Sequence, residues 1–206
     1  MKDFWDERYR QPEYAYGTKP NQFFAHALKE LNPQGKIFLP AEGEGRNAVF
    51  AASLGLEVVA FDISEEGKRK AEALAADNFV DINYTVGNLN QLKLEPESFD
   101  VIGLIYAHFE TYIKVAYHNQ FISLLKPGGF VIFEAFSKNH IKFQKLNPQA
   151  GGPKNVDMLF SMEDMHKLFA GMETITLVEK LIDLEEGKYH NGKASVIRYI
   201  GQKPLD

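Results

Sequence analysis

Short runs without internal polar residues alternate along this chain with segments whose apolar positions recur every three to four residues. Residues 37–39, Glu57-Val-Val-Ala-Phe-Asp62, residues 82–86 and Phe99-Asp-Val-Ile-Gly-Leu-Ile105 are of the first kind. They predict strands buried on both faces, since a half-solvated strand would alternate apolar and polar positions. Phe23, Phe24, Ala27, Leu28 and Leu31 predict a helix that starts at Pro20 and closes at Asn32-Pro33. A second helix over residues 46–54 is stopped by Gly55. Ser64 is a good N-cap, and Glu65 and Glu66 suit the first turn of a third helix that carries Ala71, Leu74 and Ala75 inward. Ile113, Ala116, Tyr117, Phe121, Leu124 and Leu125 form one helix face, ended by Lys126-Pro-Gly-Gly129, and residues 130–136 give the next strand. Ser161-Met-Glu-Asp164 is a capping signature for a helix with Met165, Leu168 and Phe169 as its face. From Thr174 the pattern changes to two strands, residues 174–184 and 194–201, joined by a turn, which is an antiparallel hairpin. The expected fold is α/β: a Rossmann-like, doubly wound, mostly parallel seven-stranded sheet with a C-terminal antiparallel hairpin and helices on both faces.

Two segments escape this pattern. Residues 1–19 hold Phe4, Trp5, Tyr9, Tyr14 and Tyr16 among charges, without a clean helical or strand period. Aromatics at that density need a surface to cover, either as a lid over a ligand or as a strap on the edge of the core. Residues 139–156 are polar, contain Gly and Pro, and predict a flap longer than an ordinary connector. With 206 residues, 45% of them hydrophobic, the chain buries one substantial core, and a single domain over 1–206 is expected. The net charge of -5 disfavours a nucleic-acid partner or an anionic membrane surface. There is no cysteine for a disulfide or thiolate site, and the six histidines show no metal-ligand spacing, so no metal is expected. No apolar run approaches the roughly 20 residues that span a bilayer, and no signal peptide opens the chain. A cytoplasmic protein, monomeric or weakly dimeric, is the expectation.

The candidate chemistry sits where the first strand meets the second helix. In Ala41-Glu-Gly-Glu-Gly-Arg-Asn-Ala48, Gly43 and Gly45 leave main chain bare where the backbone doubles back to start a helix. Asp62 ends the following strand, at the place of a ribose-binding acid. Gly43 to Ala48 also satisfies G-x-G-x-x-A, the dinucleotide pattern, which keeps an NAD-binding oxidoreductase as a rival. Charge separates the two. Glu42 and Glu44 would face the pyrophosphate of a dinucleotide, whereas S-adenosylmethionine has no phosphate and carries a cationic sulfonium and an ammonium. Arg46, unfavourable at a helix N-terminus, suggests a partner carboxylate on the cofactor or on the N-terminal lid. Asn88 and Leu89, after the third strand, are candidates for the adenine edge. Tyr106 and His108 come off the tip of the most apolar strand, and Glu134 interrupts an apolar one. His108 and Glu134 are the candidate general bases for a hydroxyl or amine acceptor, whereas a soft anion needs none.

Together, Ala41-Glu-Gly-Glu-Gly-Arg-Asn, Phe61-Asp-Ile, Gly87-Asn-Leu, Phe99-Asp-Val-Ile and Leu125-Lys-Pro-Gly-Gly, in that order and followed by a hairpin, resemble class I S-adenosylmethionine-dependent methyltransferases over nearly the whole chain. Trp5-Asp-Glu-Arg-Tyr9, Tyr16-Gly-Thr-Lys-Pro-Asn, Tyr106-Ala-His-Phe and Phe133-Glu-Ala-Phe-Ser look like the tellurite-resistance and thiopurine methyltransferase branch. The resemblance implies that Ala41, Gly43 and Gly45 hold the methionine part of the cofactor and Asp62 its ribose. It further implies Ile63, Asn88 and Leu89 at adenine, Tyr106 beside the reacting centre, and Trp5 and Tyr16 on a closing segment. It implies methyl transfer by in-line displacement to a small-molecule acceptor such as a thiol or chalcogen oxyanion, with S-adenosylhomocysteine as product. The chain departs from the pattern at Leu39, where an acid is usual, at Ala41, where Gly is common, and at Asn88, for a common Asp. The first departure leaves the cofactor's ammonium without its usual acceptor, for which Glu42 is the candidate. A binding protein without catalysis is the remaining alternative.

Overall fold

The computed structural model describes residues 1–205. Its strands are β1 (Lys36–Pro40), β2 (Glu57–Asp62), β3 (Asn83–Val86), β4 (Phe99–Ile105), β5 (Leu125–Phe136), β6 (Glu173–Glu185) and β7 (Asn191–Gln202). The helices are α1 (Lys2–Tyr9), α2 (Gln22–Leu31), α3 (Arg46–Ser53), α4 (Glu65–Asp77), α5 (Thr111–Leu124), α6 (Ile141–Leu146) and α7 (Met162–Leu168). All seven strands form one sheet in the order β3-β2-β1-β4-β5-β7-β6. The first five are parallel. β7 runs antiparallel to both β5 and β6. This is the expected Rossmann-like architecture, with the last strand inserted between β5 and β6.

Strand alternation divides the core in two. Ile37 and Leu39 point to the face covered by Phe24, Ala27 and Leu28 of α2 and by Ala48 and Ala51 of α3. Phe38, between them, points to the face covered by Tyr117 and Phe121 of α5 and by Met165 and Leu168 of α7. Both sides of β1 are therefore dry, which is why its sequence lacks alternation. Because β1 lies between β2 and β4, the chain winds outward in both directions from it. A crevice at the carboxyl ends of β1 and β4 follows from that reversal.

Three regions differ from expectation. Residues 2–9 are helical although their apolar residues follow no helical stripe, because α1 docks on α4 through Tyr9 rather than through a continuous face. β5 begins at Leu125, directly after α5, and an irregularity between Phe99 and Val101 absorbs Lys126-Pro-Gly-Gly129. The predicted flap contains α6 and is tied to the body. His140 stacks on Phe136 of β5 with ring centroids 4.1 Å apart and Asn147 Nδ2 donates to the Asn191 carbonyl, while Gln144 Nε2 closes the flap on itself through the carbonyls of Gly151 and Pro153. Among the described residues no helix is long and apolar enough to cross a membrane.

The approach of α3 to α4 depends on Gly45, the residue before α3. Its φ is +86°, and a Cβ there would lie 2.5 Å from Ala71 Cβ and 2.7 Å from Ala71 Cα. Gly45→Ala therefore combines an unfavourable backbone with a clash against main chain. It is expected to cost about 2–4 kcal/mol, read as a lowered midpoint in urea unfolding.

Candidate active site

After Pro40 the chain takes three left-handed residues within five: Ala41 (φ 54°), Gly43 (φ 63°) and Gly45 (φ 86°). This reversal points the start of α3 back at the tips of β1 and β2. Gly45 has no side chain with which to cap the helix, and Glu42 does so instead. Its Oε1 accepts from the amides of Asn47 at 2.9 Å and Ala48 at 2.7 Å. Asp62, at the end of β2, accepts from the Gly43 amide at 3.1 Å and the Ser64 amide at 3.0 Å. The Gly43 carbonyl accepts from the Tyr84 hydroxyl at 2.6 Å. Burial pushes the Glu42 carboxyl up to about 7, against its two amide donors and Arg46. Burial likewise raises Asp62 to about 6, although Ser64 and Gly43 favour its ionised form. Both acids lie near Tyr84 with less cationic compensation than their burial demands. Glu44, the third acid of the loop, is instead neutralised. It accepts from Lys70 Nζ and from the Ala15 amide, both at 2.7 Å, and so ties the N-terminal segment to α4.

That segment covers the glycine loop. Tyr9 is buried, and its hydroxyl lies only 2.7 Å from where a Cβ on Gly43 would stand, so bare main chain is a condition of its packing. Trp5 stacks on Tyr9 at 5.4 Å. Asp6 accepts from Ser64 Oγ at 2.6 Å and from the Glu66 amide at 3.4 Å, which pins α1 to the first turn of α4. Lys2 and Ser64 hold the Asp6 carboxyl down to about 2. Two shallow surface cavities lie well away from here, one between α2 and α3 at Leu28 and Leu54, the other beside Gln202 and Leu205.

A second polar cluster occupies the tips of β4 and β5. Glu134, with no exposed surface, accepts from Tyr106 Oη at 2.9 Å, from Asn21 Nδ2 at 2.7 Å and from Arg198 Nε. Asn21 caps α2 with its oxygen, bonded to the Phe24 amide, and its nitrogen donates to Glu134 and to Glu186 Oε1 at 3.0 Å. Arg46 donates to Glu186 Oε2 at 2.9 Å and to the Tyr16 carbonyl at 3.2 Å. Burial would raise the Glu186 carboxyl, but His190 and Arg46 overcome it and hold it down to about 2. Tyr106 has φ 52°, a conformation costly for a ring-bearing residue, and this turns its ring to within 4.4 Å of the His190 ring. Tyr16 lies 4.4 Å from His190 on another side.

The structure thus brings Ala41, Glu42, Gly43, Gly45 and Asp62 into one group, and Tyr16, Arg46, Tyr106 and Glu134 into a neighbouring one. Arg46 meets an acid of the β6–β7 turn, Glu186, not of the lid. Ile63 is half-buried beside Asp62, while Leu89 is fully buried in the core and Asn88 is exposed, its amide donating to Gln91 Oε1. His108 lies apart from Glu134's donors. Its Nδ1 is 3.1 Å from the Met158 carbonyl, its ring stacks on Phe136, and burial pushes it down to about 3. Sequence reasoning missed Asn21, Glu186, His190 and Arg198. The available signal was Glu186-Gly-Lys-Tyr-His190, an acid and a histidine in a turn bounded by Gly187 and Gly192.

Residues 40–129 match a family model described as a methyltransferase domain. No curated protein matches the chain by sequence. Among solved structures, one described as converting a disulfide bond into a thioacetal group during echinomycin biosynthesis is 19% identical. The alignment covers 100% of this chain and 93% of that one, with a TM-score of 0.74. Magnesium protoporphyrin IX methyltransferase from Synechocystis, solved with bound S-adenosylhomocysteine, is 15% identical over 98% of this chain and 97% of that one, with a TM-score of 0.71. TehB from Haemophilus influenzae is 14% identical over 98% of this chain and 66% of that one, with a TM-score of 0.70. At these identities the likeness is one of fold. The stretch that matches the methyltransferase domain holds the glycine loop, Asp62 and the tip of β4.

Proposed function

We propose that the chain transfers a methyl group from S-adenosylmethionine to a small-molecule acceptor. A soft nucleophile such as a thiol or chalcogen oxyanion is the favoured class, as in the tellurite-resistance and thiopurine branch. The observation that carries this is the pair of under-compensated acids at the tips of β1 and β2, Glu42 and Asp62, both raised by burial. A pyrophosphate would add charge of the same sign there, whereas an ammonium and a sulfonium supply the missing positive charge. In this reading Asp62 accepts from the ribose hydroxyls, Glu42 holds the ammonium and Ile63 borders adenine. Lys70 is taken up by Glu44, and Arg46, the other cation beside the loop, suits the carboxylate of the methionine part. S-adenosylmethionine, when bound, supplies a methyl already activated on a cationic sulfur. The chain's own part is to align the acceptor near Tyr106 and to exclude water.

Tyr9 and Trp5 cover the loop, so ligand entry requires α1 to lift from α4 and break the hold of Asp6 on Ser64. Trp5 is the only tryptophan in the chain and reports that movement directly. Titration with S-adenosylhomocysteine is expected to change its fluorescence and to release heat, and NADH is expected to do neither. Binding of NADH in preference would sink the assignment. Asp62→Ala is expected to lose at least about 100-fold in S-adenosylhomocysteine affinity with an unchanged circular dichroism spectrum.

The acids also fix a pH dependence. Both must ionise to take up the cationic ligand, so affinity should rise as pH climbs through about 6 and 7, the positions of Asp62 and Glu42. Calorimetry at pH 5.5 and pH 8 is expected to differ by about 10- to 100-fold, tighter at the higher pH. Stability runs the other way. The folded Glu42 carboxyl, at about 7, lies above its ordinary value of 4.5. The native state therefore binds the extra proton, and stability falls as pH rises through that interval. Glu42→Gln keeps the acceptor for Asn47 and Ala48 without the charge. Urea unfolding should show it equal to the wild type near pH 4 and more stable by about 1–3 kcal/mol at pH 8, with weakened S-adenosylhomocysteine binding.

A further inference from the structure

Neither base nominated from sequence is free to take a proton. Glu134 is saturated by Asn21, Tyr106 and Arg198, and His108, whose Nδ1 donates to the Met158 carbonyl, has its unpartnered Nε2 sealed from solvent, where no acceptor reaches it. A different histidine has the required arrangement. His190 stands in the β6–β7 turn with 5% of its surface exposed, its Nδ1 3.3 Å from Glu186 Oε2. Glu186 is itself fixed by Arg46 and Asn21, one on each oxygen. An ionised carboxylate only accepts, so Nδ1 carries the hydrogen and Nε2 presents its lone pair. Among the described residues Nε2 has no hydrogen-bond partner. The ring is walled by Tyr16 and Tyr106, each at 4.4 Å, and by Phe136 at 5.1 Å. It therefore lies at the tip of β4, beside the residue that borders the reacting centre.

We propose that His190 is the general base of the methyl transfer, oriented by Glu186 as a positioning residue, and that the acceptor is a protic nucleophile, a thiol or hydroxyl on a small aromatic or apolar group. This rests on the methyl-transfer reading of the same site and narrows it, setting protic acceptors above oxyanions that arrive already charged. In the step, the acceptor's X–H bond breaks and its proton passes to Nε2 of His190. The electron pair left on X forms the bond to the methyl carbon. The carbon–sulfur bond of the donor breaks with its pair retained on sulfur, and the imidazolium later gives its proton to solvent. The groups facing the imidazole are Glu186 from its own turn, Arg46 from α3, Tyr16 from the N-terminal segment, Tyr106 and His108 from the loop after β4 and His140 from the segment before α6. Burial outweighs Glu186 and holds the imidazole down to about 4, so it is neutral at neutral pH but a weak base, and Glu186 has to stabilise the imidazolium as the proton arrives. The aromatic walls suit a flat or apolar acceptor better than a hydrated inorganic anion.

Two thiols separate a base from a merely structural histidine: benzyl mercaptan, protonated at neutral pH, and 4-nitrothiophenol, ionised there. His190→Gln is expected to lower kcat for benzyl mercaptan by about 100-fold, with KM and S-adenosylhomocysteine affinity changed less than about threefold. The loss with 4-nitrothiophenol is expected to stay under about fivefold. Equal losses on both thiols, or none, overturn the proposal. Glu186→Gln, which keeps the shape of the turn, is expected to cost about 10-fold on benzyl mercaptan alone. A readout independent of turnover is the nitrogen-15 spectrum of the histidines in the ligand-free protein. His190 should show the Nδ1–H tautomer and titrate below an ordinary histidine, and Glu186→Gln should mix the tautomers. An Nε2–H tautomer in the wild type overturns the proposal, and where neither thiol accepts a methyl group the tautomer decides alone. Failure of the wild type to bind S-adenosylhomocysteine would instead remove the reading of the site beneath it.

Discussion

Four carboxylates largely withdrawn from water at one end of a sheet set the terms for everything around them. Glu42, Asp62, Glu134 and Glu186 cannot stay ionised there without donors, and each takes a different solution. Glu42 and Asp62 are met by main-chain amides, those of Asn47, Ala48 and Gly43 turned towards them by the reversal at Ala41, Gly43 and Gly45, and that of Ser64 just after β2. Glu134 is met by three side chains from three elements. Glu186 is met by Arg46 and His190. The amide-held pair keeps a deficit of positive charge, with raised carboxyl groups, while the Arg-held Glu186 is satisfied. A ligand-seeking half and a self-contained half thus stand side by side, joined by Asn21 and Arg46.

What the sequence disclosed follows from how local each cause is. Ile37 and Leu39 on one face and Phe38 on the other need only the dyad period of a strand, and the glycine loop needs only the intolerance of Gly43 and Gly45 for a Cβ. Those features were readable. The helix of residues 2–9 was not, since its stability comes from Tyr9 and Asp6 meeting a partner some 60 residues on in the chain, which no local period records. The same holds for Arg46. Its poor placement on the helix dipole announced a partner, but the identity of that partner, Glu186, depends on a turn 140 positions away.

His108 and His190 show the limit from the other side. Both are buried histidines among aromatics, and a sequence places His108 nearer the chemistry because it follows Tyr106. The backbone decides otherwise. Tyr106 takes a left-handed conformation, and its own ring and the following residue leave in different directions. The ring goes towards the β6–β7 turn, whereas His108 goes to the Met158 carbonyl.

The antiparallel insertion of β7 is what makes the second cluster possible. Parallel strands place only their carboxyl ends, and the loops after them, at the crevice. β6 runs with β5, so its carboxyl end also reaches that side, and β7 begins there before returning between them. The turn between β6 and β7 is thereby delivered to the tips of β4 and β5, carrying Glu186 and His190. β7 then brings Arg198 back to pair with Glu134 in register. A sixth parallel crossover would have put a helix where that turn stands, and the crevice would have lost the side chains that its parallel half does not supply.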